Sequence, residues 1–259
     1  MRAIRIGALA LTASAVVACS LAAGASAGLP ELGRCVKVPG GKYAGSNCLR
    51  LAARKGSYEW EAGPGEKKKF AGASTTLVTL ETVGAKRKIS CSSAQFEGEY
   101  TGAKTETLKV ALVGCGEVAN SKGCQSSPLA EGEITGELEG ELGYIVGGEK
   151  PQAGWDLKPK SPATSLFTFT CGKLPEVALL ATIEGSVIGR ALPIDKMAVE
   201  SKITYKALRC VQSPQSFEGG AKDTLTGKFL AGVESTTEEL GLSGVRVDEN
   251  EEPLELKAK

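Results

Sequence analysis

Apolar and polar residues alternate with a period of two through much of this chain. Leu108, Val110 and Leu112 alternate with Thr107, Lys109 and Ala111. Phe167, Phe169 and Cys171 alternate with Thr168 and Thr170, and Ile203 and Tyr205 with Lys202 and Thr204. Successive side chains of a strand point to opposite faces, so each run predicts a strand with one wet face. Val177 to Ile183 is apolar more continuously, which predicts a strand covered on both faces or a short buried helix. Asp195 to Glu200 is the one stretch that reads as a helical turn. Glycines such as Gly114, Gly116, Gly140, Gly143, Gly185 and Gly189 punctuate the runs at turn spacing, a pattern of sandwiches and barrels. The expected fold is all-β: an antiparallel β-sandwich or a related two-sheet architecture.

The ends of the chain read differently. Arg2 and Arg5 precede a weakly apolar run from Ile6 to Ala18, and Ala25-Ser26-Ala27 supplies a small-x-small cleavage site before Gly28. This is the pattern of a secretory signal peptide over residues 1–27. Val16-Val17-Ala18-Cys19 also fits a bacterial lipobox, in which Cys19 is acylated and becomes the mature N-terminus. Both readings lead out of the cytoplasm, to a secreted or envelope-held protein, and no later segment is long and apolar enough to span a bilayer. Residues 28–66 read as a small hairpin unit, ending in the turn Gly63-Pro64-Gly65 before the solvated run Lys67-Lys68-Lys69. Residues 67–247 form the main β domain, and the charged segment 248–259 is expected to fray.

Export changes the meaning of the cysteines, because an oxidising compartment makes them bridge formers before metal ligands or catalytic thiols. Cys35, Cys48, Cys91, Cys115, Cys124, Cys171 and Cys210 remain after processing. Cys35 to Cys48 brackets the turn Pro39-Gly40-Gly41-Lys42, and Cys115 to Cys124 brackets the loop holding Gly116 and Gly123. Those two local bridges are expected, with Cys91 to Cys171 as the third pair and Cys210 left over.

Composition narrows the chemistry. The chain has no histidine, which removes Ser-His-acid and Cys-His sites and His-ligated zinc. No Ser-x-x-Lys, phosphate-loop or dinucleotide motif is present, Gly-x-Ser-x-Gly occurs only across the cleavage site at Gly24 to Gly28, and no cofactor or metal is expected. Asp156, Asp195, Asp223 and Asp248 stand too far apart in sequence for a calcium loop. The net charge is +1; removing residues 1–27 takes two arginines and no acid, leaving −1. Lysines and glutamates are interleaved, so no nucleic-acid stripe is expected.

Carboxylate chemistry is the surviving catalytic option, since two glutamates can hydrolyse a glycosidic bond. Glu133, Glu137, Glu139 and Glu141 fall on one strand face opposite Ile134, Leu138 and Leu142. That face reads as a solvated surface first and as a cation or substrate site second. In Tyr58-Glu59-Trp60-Glu61 both rings share a face, either to pack the small unit against its neighbour or to offer a sugar platform. Trp155, beside Asp156, reads as a core residue.

Arg34-Cys35-Val36-Lys37-Val38, Gly41-Lys42-Tyr43, Cys48 and Gly56-Ser57-Tyr58-Glu59-Trp60, followed by Cys91, the Gly98 to Gly102 turn, Gly114-Cys115 and Cys124, resemble a set of uncharacterised exported proteins recurrent in high-GC actinobacteria. The resemblance covers most of the mature chain. It implies export and a bacterial source, and transfers no catalytic residue. The expected function is a non-catalytic envelope or secreted module that binds a wall polymer, a surface protein or itself. The alternatives are a carboxylate-dependent glycan hydrolase and a small-ligand or inhibitor module held rigid by its bridges.

Overall fold

The computed structural model describes residues 28–146, 149–172 and 178–258. The signal segment and Cys19 lie outside the described residues. Within them the period-two pattern becomes strands throughout, and the protein is all-β. β1 (Glu31–Lys37) and β2 (Tyr58–Ala62) pair as an antiparallel hairpin. Beyond them the chain runs back and forth in long staves, most of which break once near the middle. The first is β3 (Lys69–Ser74) with β4 (Val78–Thr82), and the second β5 (Lys88–Cys91) with β6 (Ser93–Tyr100). The third is β7 (Thr105–Val113) with β8 (Gly116–Glu117), and the fourth β9 (Lys122–Gln125) with β10 (Ile134–Val146). The fifth is β11 (Gln152–Pro159) with β12 (Phe167–Cys171), and the sixth β13 (Leu179–Gly185) with β14 (Val187–Ala191). The seventh is β15 (Ile194–Leu208), which makes an excursion containing β16 (Val211–Ser213) and resumes as β17 (Leu225–Ala231). The last is β18 (Glu234–Lys257), an unbroken strand of 24 residues.

The stave halves form two successive rings. In the first, β3, β6, β7, β10, β11, β14, β15 and the C-terminal part of β18 pair in that order, and β18 closes back on β3 as an eight-stranded barrel. In the second, β4, β5, β8, β9, β12, β13, β17 and the N-terminal part of β18 close in the same order. Every pairing in the rings is antiparallel and joins staves adjacent in sequence, apart from the closure of the last stave on the first, so the architecture is an up-and-down barrel and not the expected sandwich. The reason is physical. Alternation shows that a sheet has a dry face, but that face is equally dry whether a second sheet covers it or the sheet curls onto itself.

Side chains fill the interior. Glycines make room for aromatic rings of the neighbouring strand: a Cβ at Gly98 would strike the Phe70 ring, and one at Gly189 the Tyr205 ring. The break between β13 and β14 falls at Gly185, whose φ of 96° lies in the left-handed region and whose Cβ would meet the Thr224 carbonyl.

The cysteines pair differently from the sequence expectation. Cys35 bonds Cys48 as expected, but Cys91 bonds Cys115 and Cys124 bonds Cys171, and Cys210 is free. Cys91, Cys115, Cys124 and Cys171 occupy one row across β5, the start of β8, β9 and β12. Ser90 pairs with Gly116, the Cys124 amide donates to the Cys115 carbonyl at 2.9 Å, and Cys171 lies opposite Cys124. A bridge between the two middle cysteines would strand the outer two three strand spacings apart, roughly 14 Å. A disulfide cannot reach that far. Bonding at both ends of the row satisfies all four, with Cα–Cα distances of 3.9 Å in each bridge.

Two further expectations change. The segment from residue 248, expected to fray, is the second half of the barrel's closing stave, with Leu254 and Leu256 buried and Lys257 paired opposite Glu31 of β1. That pairing also fastens the β1–β2 hairpin to the barrel end, where the Leu32 amide donates to the Ala103 carbonyl. The expected helical turn at Asp195 to Glu200 belongs to β15, irregularly paired with β18 through Ile194 and Ala198. Pairing to a long neighbour overrides weak local propensity here.

Candidate functional site

The outward positions of the first ring form rungs across the staves. One rung runs Ala73, Gln95, Ala111 and Thr135; the next runs Ala71, Glu97, Lys109 and Glu137. Alanines give the first a low floor, while long charged side chains raise the second. The β11–β12 connection at residues 160–163 forms a further wall, anchored where the Lys160 amide donates to the Glu137 carbonyl at 3.0 Å. Together they enclose an open groove of about 830 Å³ lined by Gln95, Glu97, Ala111, Thr135, Lys160 and Ser161, among others. A shallower depression of about 250 Å³ continues it past Lys69, Glu99 and Thr107. Glu137 lies between two lysines, 3.7 Å from Lys109 and 3.9 Å from Lys160. The lining offers amide, hydroxyl and paired ionic groups over apolar methyls, and no aromatic ring. Such a surface suits an extended polar chain laid across the strands.

The predicted acidic face is where alternation puts it. Glu137, Glu139 and Glu141 are exposed on the outside of β10, while Ile134, Leu138 and Leu142 are buried inside, and Glu133 precedes the strand half-buried. Only Glu137 of these lines the groove. Charged outward residues at this level also differ from the apolar band of a membrane-spanning barrel. Trp60 packs at the barrel end: its Nε1 donates to Glu31 at 2.6 Å, and the Lys257 ammonium stands 3.9 Å from its ring. Glu59 and Glu61 on the opposite face pair with Lys42 and Arg34. Trp155 is a core residue inside the first ring, 6.2 Å from the Tyr100 ring. Among the described residues, no group of three or more His, Cys, Asp or Glu is placed to hold a metal ion, and no helix is long and apolar enough to cross a membrane.

The sequence reading missed an ionic cluster inside the barrel. Arg246 is fully buried, with Nη1 and Nη2 donating to Glu106 at 2.8 and 3.1 Å and Nε donating to Asp248 at 2.8 Å. Its guanidinium also covers Phe70 at 4.9 Å and Phe96 at 5.5 Å. Burial opposes the arginine's charge, but Asp248 and Glu106 outweigh it and hold its pKa above the usual value. Burial raises the Glu106 carboxyl despite Arg246, and the Asp248 charge adds to the rise. Tyr100 and Tyr205 are likewise pushed up, chiefly by burial. A signal for the cluster was present in the parity: Glu106 shares it with Leu108 and Val110, and Arg246 and Asp248 share it with Leu240 and Leu242. The adjoining cavity measures about 30 Å³, room for about one water and no larger ligand. The cluster therefore serves the fold. The groove residues Gln95, Glu97, Lys109, Ala111 and Thr135 carried no such signal, because only register brings four strands' outward positions into one rung.

No protein-family model, curated protein or solved structure matches this chain.

Proposed function

We propose that this protein is an exported, non-catalytic binding module whose outer groove takes an extended polar segment of a cell-envelope polymer or surface protein. The observation that carries the reading is the groove itself: a floor of small outward side chains on a rigid closed barrel, rimmed by lysine–glutamate pairs and overhung by residues 160–163. A barrel wall positions such groups with little entropy loss on binding, which favours recognition over chemistry. Three disulfides fit an oxidising destination. The resemblance to exported actinobacterial proteins points the same way.

One observation favours the hydrolase as a second reading. Glu97 and Glu137 share a rung with one strand between them, so their backbones lie roughly 10 Å apart. Carboxylates of an inverting glycosidase stand at a comparable separation. Against it, both glutamates are exposed and Glu137 is flanked by lysines, whereas the general acid needs a desolvated setting that keeps its proton. Sedimentation of processed protein with isolated cell envelopes tests the proposal. Binding without release of soluble sugar is expected, and Ala111→Trp, which fills the groove from an outward position, should weaken it at least about tenfold, the loss of roughly one good contact's worth of affinity. Undiminished binding by that variant would remove the groove from the function. Release of reducing ends, lost in Glu97→Gln or Glu137→Gln, would establish the hydrolase instead.

A further inference from the structure

The distal end of the β1–β2 hairpin carries cations without matching acids. Residues 37–57 contain Lys37, Lys42, Arg50, Arg54 and Lys55 and no acidic residue. Lys42 is tied to Glu59 at 3.0 Å. Lys37, Arg50, Arg54 and Lys55 are exposed and make no ion pair with the described residues. The same loop exposes two large apolar side chains, Leu49 at 53% and Leu51 at 66%, flanking Arg50. Charge and apolar surface thus coincide on one projection, the distal end of the β1–β2 hairpin.

That projection is rigid. The Cys35–Cys48 bridge closes its base, the Ala44 amide donates to the Arg50 carbonyl and the Ala52 amide to the Lys42 carbonyl, each at 2.9 Å. The buried Lys257 ammonium reaches in from the last strand to the Cys48 carbonyl at 2.9 Å. None of these contacts uses the side chains of the exposed leucines or of the unpaired cations. A folded hairpin that holds leucines in water beside unpaired cations has a surface whose complement is both anionic and apolar. Anionic bilayers combine those properties: the headgroup layer attracts lysine and arginine, and the acyl boundary accepts leucine. A soluble polyanion would use the cations and leave the leucines in water.

We propose that the loop of residues 37–57 docks the protein on an anionic lipid surface, with Leu49 and Leu51 entering the headgroup–acyl boundary and Lys37, Arg50, Arg54 and Lys55 against the phosphates. This surface is separate from the outer groove and stands or falls independently of it.

The test is flotation of the processed, exported protein with phosphatidylglycerol-containing vesicles and with pure phosphatidylcholine vesicles. All variants are exported and processed behind the same leader, so differences report the loop. Binding to the anionic vesicles should exceed that to the neutral ones by at least about tenfold and fall steeply with salt. The charge reversal R50E/R54E/K55E should lose at least about tenfold. The variant L49S/L51S should lose roughly threefold or more while keeping the positive charge. Both variants alter exposed side chains, and an unchanged unfolding transition confirms that the fold persists. Equal binding to the two vesicle types, or no effect of the charge reversal, overturns the proposal. So does full retention by L49S/L51S with displacement by soluble polyphosphate, which would mark a phosphate-polymer site in place of a membrane one.

Discussion

The two rings of the barrel share one stave order but are held together differently. In the first ring most ladders are long, the two-pair β14–β15 seam apart: β6 and β7 match over eight residue pairs, and so do β7 and β10. In the second, β8 pairs two residues with β5 and two with β9, and β9 two with β12. The long-ladder ring carries the costly core, with Arg246, Glu106 and Asp248 buried at its centre. The short-ladder ring has Leu80, Ile89, Phe169, Ile183, Phe229 and Leu240 in its core, and of its three two-pair seams the Cys91–Cys115 and Cys124–Cys171 bridges span β5–β8 and β9–β12. Covalent closure thus reinforces two of the scarce seams, and ionic burial lies in the ring with the longer ladders.

The largest test of this contrast is Arg246→Met, which leaves Glu106 and Asp248 buried without their cation. Breaking a buried ion cluster from one side costs about 3–5 kcal/mol, so denaturant unfolding should shift by that order. The triple change R246M/E106M/D248L should recover most of the loss, because well-packed apolar groups replace a buried charge cluster with little penalty. A mild effect of the single change would mean that water reaches the cluster and that the first ring is looser than its ladders imply.

Next in size is the pair Cys124→Ala and Cys171→Ala, made together. Loop entropy for this bridge, with its sequence separation of 47, is worth about 4 kcal/mol. Hydrogen exchange should show the second ring losing protection while β6, β7 and β10 keep theirs. Uniform loss across both rings would show that the barrel unfolds as one unit and that the bridge does not act on its own half.

A smaller effect is expected at Glu255, beside the end of the first ring, whose carboxyl burial pushes up to about 7, with Lys257 opposing the rise and Asp195 adding to it. Its pKa is higher folded than unfolded, so the folded state holds the proton more tightly and charging the group opposes folding. Stability is greatest below about pH 4.5, falls as pH rises to about 7 and is flat beyond. Glu255→Gln should remove that fall, adding on the order of 2 kcal/mol at pH 8 and little at pH 4. The readout is the difference between the two proteins' unfolding free energies across that range. A constant difference would show that Glu255 finds water in the fold.

The smallest expected effect sharpens the boundary between inside and outside. Glu139→Gln and Glu141→Gln, on the outward face of β10, should each change stability by no more than about 0.5 kcal/mol. A larger change would mean that the outer face is part of the ionic core's support.

Much of this architecture was legible from parity. Leu108, Val110 and Leu112 face inward and Lys109 and Ala111 outward, as alternation requires. The Cys35–Cys48 bridge and the free Cys210 also followed from spacing and an odd count. The middle cysteines did not, because a short loop shows only that Cys115 and Cys124 are neighbours. They are neighbours, and their backbones are hydrogen-bonded, yet each sulfur bonds the strand on its other side. The groove escaped notice for a related reason: Ala73, Gln95, Ala111 and Thr135 are unremarkable until they stand in one row.

What the sequence by itself determined is the strand-by-strand division into wet and dry faces, the all-β class and the absence of histidine chemistry. All of these depend on residue type and local period, which tertiary packing does not alter. Barrel closure, the bridge pattern, the burial of Arg246 and the seating of residues 248–257 as the closing stave were decided only in three dimensions. Each depends on which strand lies beside which, and in what register, and sequence separation does not carry that information across a sheet closed by its last strand.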